Sequence, residues 1–284
     1  MNKEQVITLI SEIHGKKIHS ILPVSGGDIN RAYQLTLTDG TQLFMKRNEH
    51  PFFELEAEGL EAIRNTNTIR EPQVIDVGND GEYYLLLEWT EAGPRSPDFW
   101  EAFGHELAAM HRALGFSLFG WTSDNYIGAG KQINTKSDKW IPFFRDCRLA
   151  PQFKSAQHYF NSVDRKHITQ LLDHLDEYLS EPQHPSLLHG DLWSGNFITG
   201  PDGKAWLIDP AVYVGHAEAD LAMTELFGGF NSRFYGAYNE VNRIDKGYHD
   251  RRDLYNLYHL LNHLNLFGVG YLSEVKRVLL KYCG

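Results

Sequence analysis

The 284 residues are 42% hydrophobic and 23% charged, a composition typical of soluble globular proteins. No apolar run approaches the roughly 18 residues of a membrane span, and the N-terminus mixes acidic, basic and amide side chains, unlike a secretory signal. The formal net charge of −10, without a cluster of Lys and Arg, argues against a nucleic-acid partner. Because Cys147 and Cys283 lie far apart and form no CxxC pair, no disulfide framework or zinc site is expected, and a reducing cytoplasm is the expected location.

The N-terminal third predicts a small antiparallel sheet with one main helix against it. After an amphipathic opening helix, residues 19–48 contain runs that alternate with period two, and the "DG" at Asp39 and Gly40 predicts a hairpin. Residues 52–66 switch to a helical period. Residues 73–89 then predict two more strands joined by an "NDG" turn.

From Ser96 onward the periodicity is mostly helical. There are two exceptions. Residues 120–140 are polar and Gly-rich and predict a structured excursion, and in residues 186–213 two short strand-like runs flank a "PDG" turn. A boundary is expected near residues 88–93, which gives an N-terminal lobe of residues 1–90 and a larger, mostly helical lobe of residues 91–284. The predicted fold class is therefore α+β with two lobes.

The stretch "SLLHGDLWSGNF", residues 186–197, carries the most specific signal. Asp191 and Asn196 are spaced as in the kinase pattern H-R-D-x-x-x-x-N, in which the acid accepts the proton of the attacking hydroxyl and the amide oxygen binds Mg²⁺. Glycine stands at position 190 instead of the usual arginine. Asp209 ends the next apolar strand, where a carboxylate can bridge metal and phosphates. Each of the three polar residues is also compatible with a plain turn, in which its side chain bonds its own backbone.

Upstream residues supply candidates for binding phosphates. Gly26 and Gly27 follow a strand and can turn sharply over an anion, although paired glycines often form only a turn. Lys46 ends the second strand of the hairpin, where an exposed lysine is the simpler reading. Glu58, on the following helix, is the predicted partner that would hold the ammonium toward phosphate oxygens, and Glu56 is its competitor.

Two further residues are expected to support the loop. His189 is predicted to be a structural donor to the loop backbone, because Asp191 already supplies the base. Asp220, in "AEADLAM", is predicted to accept backbone N–H groups of the catalytic loop, and a simple helix cap is the alternative.

These motifs resemble the fructosamine kinases, also called ketosamine 3-kinases, within the aminoglycoside-phosphotransferase-like kinases. The resemblance is carried by "HGDLWSGN", "IDPAVYVGHAEADLAMTELFGGF", "DNYIG", "QINT" and "FELEAEGLEAI", and it runs from about Gly26 to at least Phe230. It implies a protein-kinase-like fold, ATP and Mg²⁺, and phosphorylation of the third sugar carbon of a ketoamine, which makes the adduct unstable and frees the amine.

Residue roles follow from the same resemblance. It makes Asp191 the proton acceptor, gives Mg²⁺ to Asn196 and Asp209, and gives phosphate positioning to Lys46 and Glu58. The backbone of Glu88, Trp89 and Thr90 is expected to meet adenine. Substrate contact is a hypothesis for two residues, Trp193 and His216. For Trp193 the alternative is a core tryptophan that anchors the loop.

The acceptor and the activity each leave an alternative open. The phosphate-handling residues do not fix the acceptor, so a kinase of an aminoglycoside, choline or another amino sugar is the second reading. A nucleotide-binding module without catalysis is the third, and the presence of every catalytic position counts against it. The expected partners are ATP and a small or protein-bound ketoamine, with no nucleic acid and no membrane.

Overall fold

The structure is a computed structural model that describes residues 15–24 and 30–284. The predicted opening helix, the glycine turn at Gly26 and Gly27, and their expected contact with phosphates lie outside the described residues. Within the described part of the chain, no helix combines the length and the apolar character that crossing a membrane requires.

A five-stranded antiparallel sheet forms the N-terminal part, in the order β1-β2-β3-β5-β4. The "DG" turn joins β2 to β3 as predicted, with Gly40 at φ +87°. The five strands are β1 (Ile18–Val24), β2 (Arg31–Leu37), β3 (Gln42–Asn48), β4 (Val74–Asn79) and β5 (Tyr83–Glu88).

One helix, α1 (Phe53–Asn65), packs on this sheet. Its apolar residues recur every three or four positions, so they fall on one face. Phe53, Ala57 and Leu60 are buried there against Leu85 and Leu87 of β5. Because the acidic residues of α1 are spread around the rest of its surface, packing against the sheet decides which of them turns toward the strands.

The remainder of the chain is mostly helical, with short strand pairs between the helices. Three antiparallel two-stranded pairs occur, β6 with β7, β8 with β11 and β9 with β10. These strands are β6 (Asn125–Ile127), β7 (Gly130–Gln132), β8 (Ser186–Leu188), β9 (Phe197–Thr199), β10 (Ala205–Leu207) and β11 (Tyr213–Gly215). The helices are α2 (Phe99–His111), α3 (Trp140–Phe143), a π-helical segment (Phe144–Leu149), α4 (Ala150–Ser155), a 3₁₀ turn (Gln157–Tyr159), α5 (Ser162–Asp173), α6 (Leu175–Tyr178), α7 (Ala217–Leu226), α8 (Ser232–Val241), α9 (Tyr248–Phe267), a 3₁₀ turn (Val269–Tyr271) and α10 (Leu272–Cys283).

An aromatic cluster fixes the strands of the motif region to the helices. Phe103 of α2 is fully buried, and its ring lies 5.1 Å from that of Phe197 in β9 and 5.1 Å from that of Phe234 in α8. Aromatic pairs of this kind add to the free energy gained from burying their area. The strand that follows the "HGDLWSGN" loop is thereby held by the core of the helical region.

The predicted α+β class is confirmed: an antiparallel sheet with one main helix precedes a helical region. The division at residues 90 and 91 stays a prediction. The segment between β5 and α2, residues 89–98, contains neither a helix nor a strand, which is compatible with a connection between two lobes.

Candidate active site

Two adjacent loops build the site. The first, residues 189–196, connects β8 to β9, and the second, residues 208–212, connects β10 to β11. The backbone N–H of Ala211 donates to the carbonyl of His189 at 2.8 Å, and that of Ile208 donates to the carbonyl of Asn196 at 3.1 Å. The loop that carries Asp191 is therefore fastened to the loop that carries Asp209.

The glycine at position 190 has a steric cause. Gly190 adopts φ +83°, and a Cβ placed on it would lie 2.0 Å from the carbonyl oxygen of Ala211. No side chain fits against a backbone atom at that distance, and the positive φ also favours glycine. The close approach of the two loops therefore excludes the arginine that the kinase pattern has at this position.

A buried carboxylate holds the start of the catalytic loop. Asp220, in the first turn of α7, accepts the backbone N–H of His189 at 2.7 Å and that of Gly190 at 2.9 Å. It also accepts Nε2–H of His111 at 3.1 Å. Burial alone would raise the pKa of Asp220, but these donors outweigh it, so the pKa lies below its ordinary value. These are the contacts that the sequence predicted for Asp220.

His189 supports the same backbone from within the loop. Its Nε2–H donates to the carbonyl of Ile208 at 2.9 Å, and its Nδ1 accepts the N–H of Asp191 at 3.3 Å. Burial lowers the pKa of His189 below its ordinary value, so the ring is neutral and can make both contacts.

Asn196 and Asp191 form one hydrogen-bonded unit. The Nδ2 of Asn196 donates to the backbone carbonyl of Asp191 at 2.7 Å and to its Oδ2 at 3.0 Å. This orientation leaves Oδ1 of Asn196 available for a metal ion and Oδ1 of Asp191 available for a hydroxyl. Burial raises the pKa of Asp191 to about 7, with Asp209 and Asp220 acting in the same direction and the bond from Asn196 opposing them.

Asp209 lies where the second loop leaves β10. It adopts φ +55°, a sparsely populated conformation for a residue other than glycine, and its side chain is 46% exposed. Such backbone angles persist where the surroundings fix them, often at functional sites. A carboxylate at Asp209 and the amide oxygen of Asn196 are the hard oxygen ligands that Mg²⁺ accepts, with phosphates and water filling the other positions.

Lys46 contacts one acid from each side of the site. On β3 in the middle of the sheet, it is 6% exposed, and its Nζ lies 2.6 Å from Oε1 of Glu56 and contacts Oδ1 of Asp209. Burial alone would lower the pKa of Lys46, but the attraction of the two carboxylates prevails and raises it. The ammonium is therefore charged when phosphate oxygens arrive.

The predicted pairing of Lys46 with Glu58 is wrong. Glu58 lies on the exposed side of α1, two residues beyond Glu56, and residues two apart on a helix do not share a face. Because the apolar face of α1 packs on the sheet, Glu56 points toward β3 and Glu58 toward solvent. Burial raises the pKa of Glu56, while Lys46 opposes that shift.

The residues predicted to meet adenine lie at the end of β5. The backbone N–H of Glu88 is already used, donating to the carbonyl of Gln73 at 2.9 Å. The ring of Trp89 packs 6.3 Å from that of Phe44. Within the described residues, Nε1 of Trp89 and Oγ1 of Thr90 are buried without a hydrogen-bond partner. Unpaired polar atoms at this position are compatible with the predicted binding of adenine by this segment.

Trp193 is 37% exposed, so it is not a core residue. Its ring leans edge-on against that of Phe227 at a centroid distance of 6.1 Å. Gly195 lies so close to this ring that a Cβ there would meet it at 2.4 Å. The tryptophan is thus fixed beside Asp191 with part of its surface open to solvent.

His216 has a structural contact that the sequence analysis did not predict. It precedes α7, and its Nδ1 accepts the backbone N–H of Glu218 at 3.1 Å, which makes it the N-cap of that helix. Its ring packs among Trp140 and Tyr255, and burial lowers its pKa to about 3. His216 therefore supports the start of α7, and its contact with substrate stays a prediction.

Two residues of the site were missed by sequence reasoning. His111 binds Asp220 from α2, and its Nδ1 accepts from the hydroxyl of Tyr238 at 2.7 Å. His259 of α9 brings its Nδ1 to 3.9 Å from Oδ1 of Asp191. Both histidines lie more than 60 positions from their partners on periodic helices, so no local motif marks them.

As a whole, the arrangement is suited to in-line phosphoryl transfer. A fixed carboxylate can accept a hydroxyl proton, two oxygen ligands can hold a divalent ion, and a buried ammonium can meet phosphate oxygens. The ammonium comes from the sheet, and the carboxylates come from the two loops.

Replacing Glu56 tests which acid serves Lys46. Glu56→Gln keeps the shape but removes the charge that orients the ammonium, so kcat/KM for phosphoryl transfer should fall roughly 10- to 100-fold. Glu58→Gln, two residues away on the same helix, is the matched control and should stay within about twofold of the unmodified protein. Steady-state kinetics measure both, and a larger loss for Glu58→Gln would contradict the assignment.

The pKa of Asp191 sets an expected pH dependence. A base must be ionised to accept a proton, and burial raises the pKa of Asp191 to about 7, so kcat/KM should fall about tenfold per pH unit below that value. Initial rates from pH 5 to 9, at limiting concentrations of both substrates, measure this pH dependence of kcat/KM. A kcat/KM that stays level down to pH 5, as expected for a carboxyl group with its ordinary pKa near 4, would contradict the account.

Comparison with known proteins agrees with this geometry. The family model "Fructosamine kinase" matches residues 2–283. An assigned ketoamine kinase of Synechocystis sp. is 43% identical over 282 residues, covering 96% of this chain and 94% of its own. The protein-ribulosamine 3-kinase of Arabidopsis thaliana, described as chloroplastic, is 39% identical, covering 96% of this chain and 86% of its own.

Solved structures extend the likeness to the fold. A protein assigned as fructosamine-3-kinase from Thermobifida fusca has a TM-score of 0.88 and 34% identity, with 99% of each chain covered. An aminoglycoside phosphotransferase, APH(4)-Ia, bound to AMP-PNP and hygromycin B has a TM-score of 0.68 and 17% identity, covering 98% of this chain and 96% of its own, which shows the shared kinase-like fold. The chain therefore belongs to the fructosamine kinase family, and it is a phosphotransferase enzyme.

Proposed function

We propose that this enzyme uses ATP and Mg²⁺ to phosphorylate the O3 hydroxyl of the sugar in a ketoamine, such as a fructosamine or a ribulosamine. The observation that carries the proposal is the Asp191–Asn196 unit, which lies beside an exposed Trp193 and close to the Lys46–Asp209 contact. The names of the relatives, ketoamine kinase and protein-ribulosamine 3-kinase, support the choice of acceptor.

Asp191 is proposed to act on the acceptor. Its Oδ1 accepts the proton of the sugar hydroxyl while the hydroxyl oxygen forms a bond to the γ-phosphorus of ATP. The bond between this phosphorus and the β,γ-bridging oxygen breaks, which releases ADP. Asn196 holds Oδ2 at 3.0 Å, so the carboxylate is already oriented before the acceptor binds. The fold therefore places the base beside the acceptor site.

The phosphate side is proposed to rely on four side chains. Asn196 and Asp209 would hold Mg²⁺, which would neutralise charge on the transferring phosphoryl group. Lys46 contacts Asp209 and Glu56, and phosphate oxygens would take over part of the interaction with Asp209. Glu56 keeps the ammonium in place during this exchange. Backbone groups of residues 88–90 are proposed to bind adenine.

The proposed product has a chemical consequence. A phosphate on the third carbon of the sugar is a better leaving group than a hydroxyl, so the adduct becomes unstable and the amine is released. The enzyme would thereby reverse glycation of amines. Both of its cysteines are free thiols, which is compatible with the reducing cytoplasm that we propose as its location.

A substrate panel tests the proposal. The protein is incubated with MgATP and fructosamine or ribulosamine adducts of a simple amine and of a lysine peptide, alongside an aminoglycoside, choline and an amino sugar. Turnover of a ketoamine, with a ³¹P–¹H coupling that locates the new phosphate on O3, is expected. Turnover of only one of the other acceptors, or of none, would overturn the proposal.

Asp191→Asn, assayed with the same substrates, tests whether Asp191 is the base. The variant keeps the size of the side chain but cannot accept the proton, so transfer should fall at least about 1,000-fold while ATP affinity stays within about threefold. Calorimetric titration with a non-hydrolysable ATP analogue provides the control. Full activity in this variant would exclude Asp191 as the base.

Trp193 is proposed to lie against the sugar ring. Trp193→Ala removes an exposed aromatic face, so KM for the ketoamine should rise roughly tenfold while KM for ATP changes less than about twofold. Phe267→Ala, another exposed aromatic substitution, is the matched control and should leave both constants unchanged. A loss of thermal stability with an unaltered KM for the ketoamine would contradict the role.

A further inference from the structure

His259 of α9 is a buried histidine that lies close to the catalytic carboxylate of Asp191. It is 3% exposed on α9, and its Nδ1 is buried without a hydrogen-bond partner among the described residues. The nearest acidic atom is Oδ1 of Asp191, at 3.9 Å from that nitrogen. A buried polar atom left unpaired lowers the stability of the fold, which suggests that this nitrogen has a role in the site.

The ring is neutral, because burial lowers the pKa of His259 to about 3. Charged and titratable groups face it from every side: Tyr258 and His263 on α9, Asp191 on the catalytic loop, Asp220 on α7 and Arg148 on the π-helical segment. His263 and Arg148 favour the neutral form, and Asp220 opposes them. A neutral imidazole carries one N–H, which can serve as a donor to a carboxylate.

The two facing atoms are complementary. Asn196 occupies Oδ2 of Asp191 at 3.0 Å, whereas among the described residues no hydrogen bond to Oδ1 is formed. A shift of about 1 Å would bring Nδ1 and Oδ1 to hydrogen-bond distance. Catalytic hydrogen bonds are often long before the substrates bind and shorten in the reactive complex.

We propose that His259 is a positioning residue for Asp191: its Nδ1–H faces Oδ1 in the free enzyme and donates a hydrogen bond to it when the acceptor is bound. Asn196 on Oδ2 and His259 on Oδ1 would then hold the carboxylate at both oxygens. Oδ1 keeps a second lone pair for the proton of the sugar hydroxyl. The inference rests on the proposed function only in taking Asp191 as the base.

Three substitutions separate positioning from simple packing. His259→Asn places an amide N–H where Nδ1 lies, His259→Gln places one where Nε2 lies, and His259→Leu has none. His259→Asn should keep kcat within about threefold, whereas His259→Gln and His259→Leu should lose about 10- to 100-fold in kcat with KM for ATP nearly unchanged. His249→Asn, in the exposed first turn of the same helix, is the matched control and should retain the kcat of the unmodified enzyme.

A second measurement does not need a substrate. In protein labelled with ¹⁵N at histidine, the His259 ring should show the Nδ1–H tautomer, and its resonances should shift in Asp191→Asn. If the unmodified enzyme phosphorylates no ketoamine, the proposed function fails, but this spectrum still tests the contact. An Nε2–H tautomer that ignores Asp191→Asn, or a His259→Asn variant as impaired as His259→Leu, would overturn the inference.

Discussion

The buried carboxylate of Asp220 is the contact on which the rest of the site depends. It receives the backbone N–H groups of His189 and Gly190, the two residues that precede Asp191. Its third donor, Nε2–H of His111, is the end of a chain in which Asn242 donates to the hydroxyl of Tyr238 and that hydroxyl donates to Nδ1 of His111. Such a network is stable only while every member is satisfied, so it imposes one conformation on the loop.

The Lys46 contacts link the sheet to the loops through charge. The ammonium of Lys46 contacts Glu56 of α1 on one side and Asp209 on the other. These contacts connect the sheet directly to the segment that would hold the metal ion. Because the ammonium is buried and paired, removing either acid would leave a charge in a poorly solvated place. An arriving triphosphate is a third anion with the right charge for this position.

Much of the fold follows from the sequence. Alternating residues and the "DG" turn predict β2 and β3, and the helical period predicts α1. Asp191, Asn196, Asp209 and Asp220 stand out because each lies at a strand end or a helix start in a motif of fixed spacing. Site residues whose roles depend on nearby positions in the sequence can therefore be predicted from the sequence.

The parts that sequence could not supply depend on packing. The sequence places four acids on α1 and does not show which of them faces Lys46. Only the rotation of the helix on the sheet selects Glu56 over Glu58 as the partner of Lys46. The sequence shows that Gly190 departs from the kinase pattern, but the reason, the close approach of the carbonyl of Ala211, is visible only in the structure. His111 and His259 reach the loop from distant helices, and His216 is a helix cap whose role depends on where α7 begins.

The activity of Asp220→Asn tests most directly whether this buried carboxylate organises the catalytic loop. Asparagine keeps the size of the side chain but sets an NH₂ group against one of the donors, so the loop loses its fixed conformation. A single-turnover measurement with a ketoamine and MgATP should show a rate about 100-fold lower, while affinity for the nucleotide stays within about threefold. A folded variant that transfers phosphate at the unmodified rate would contradict the account.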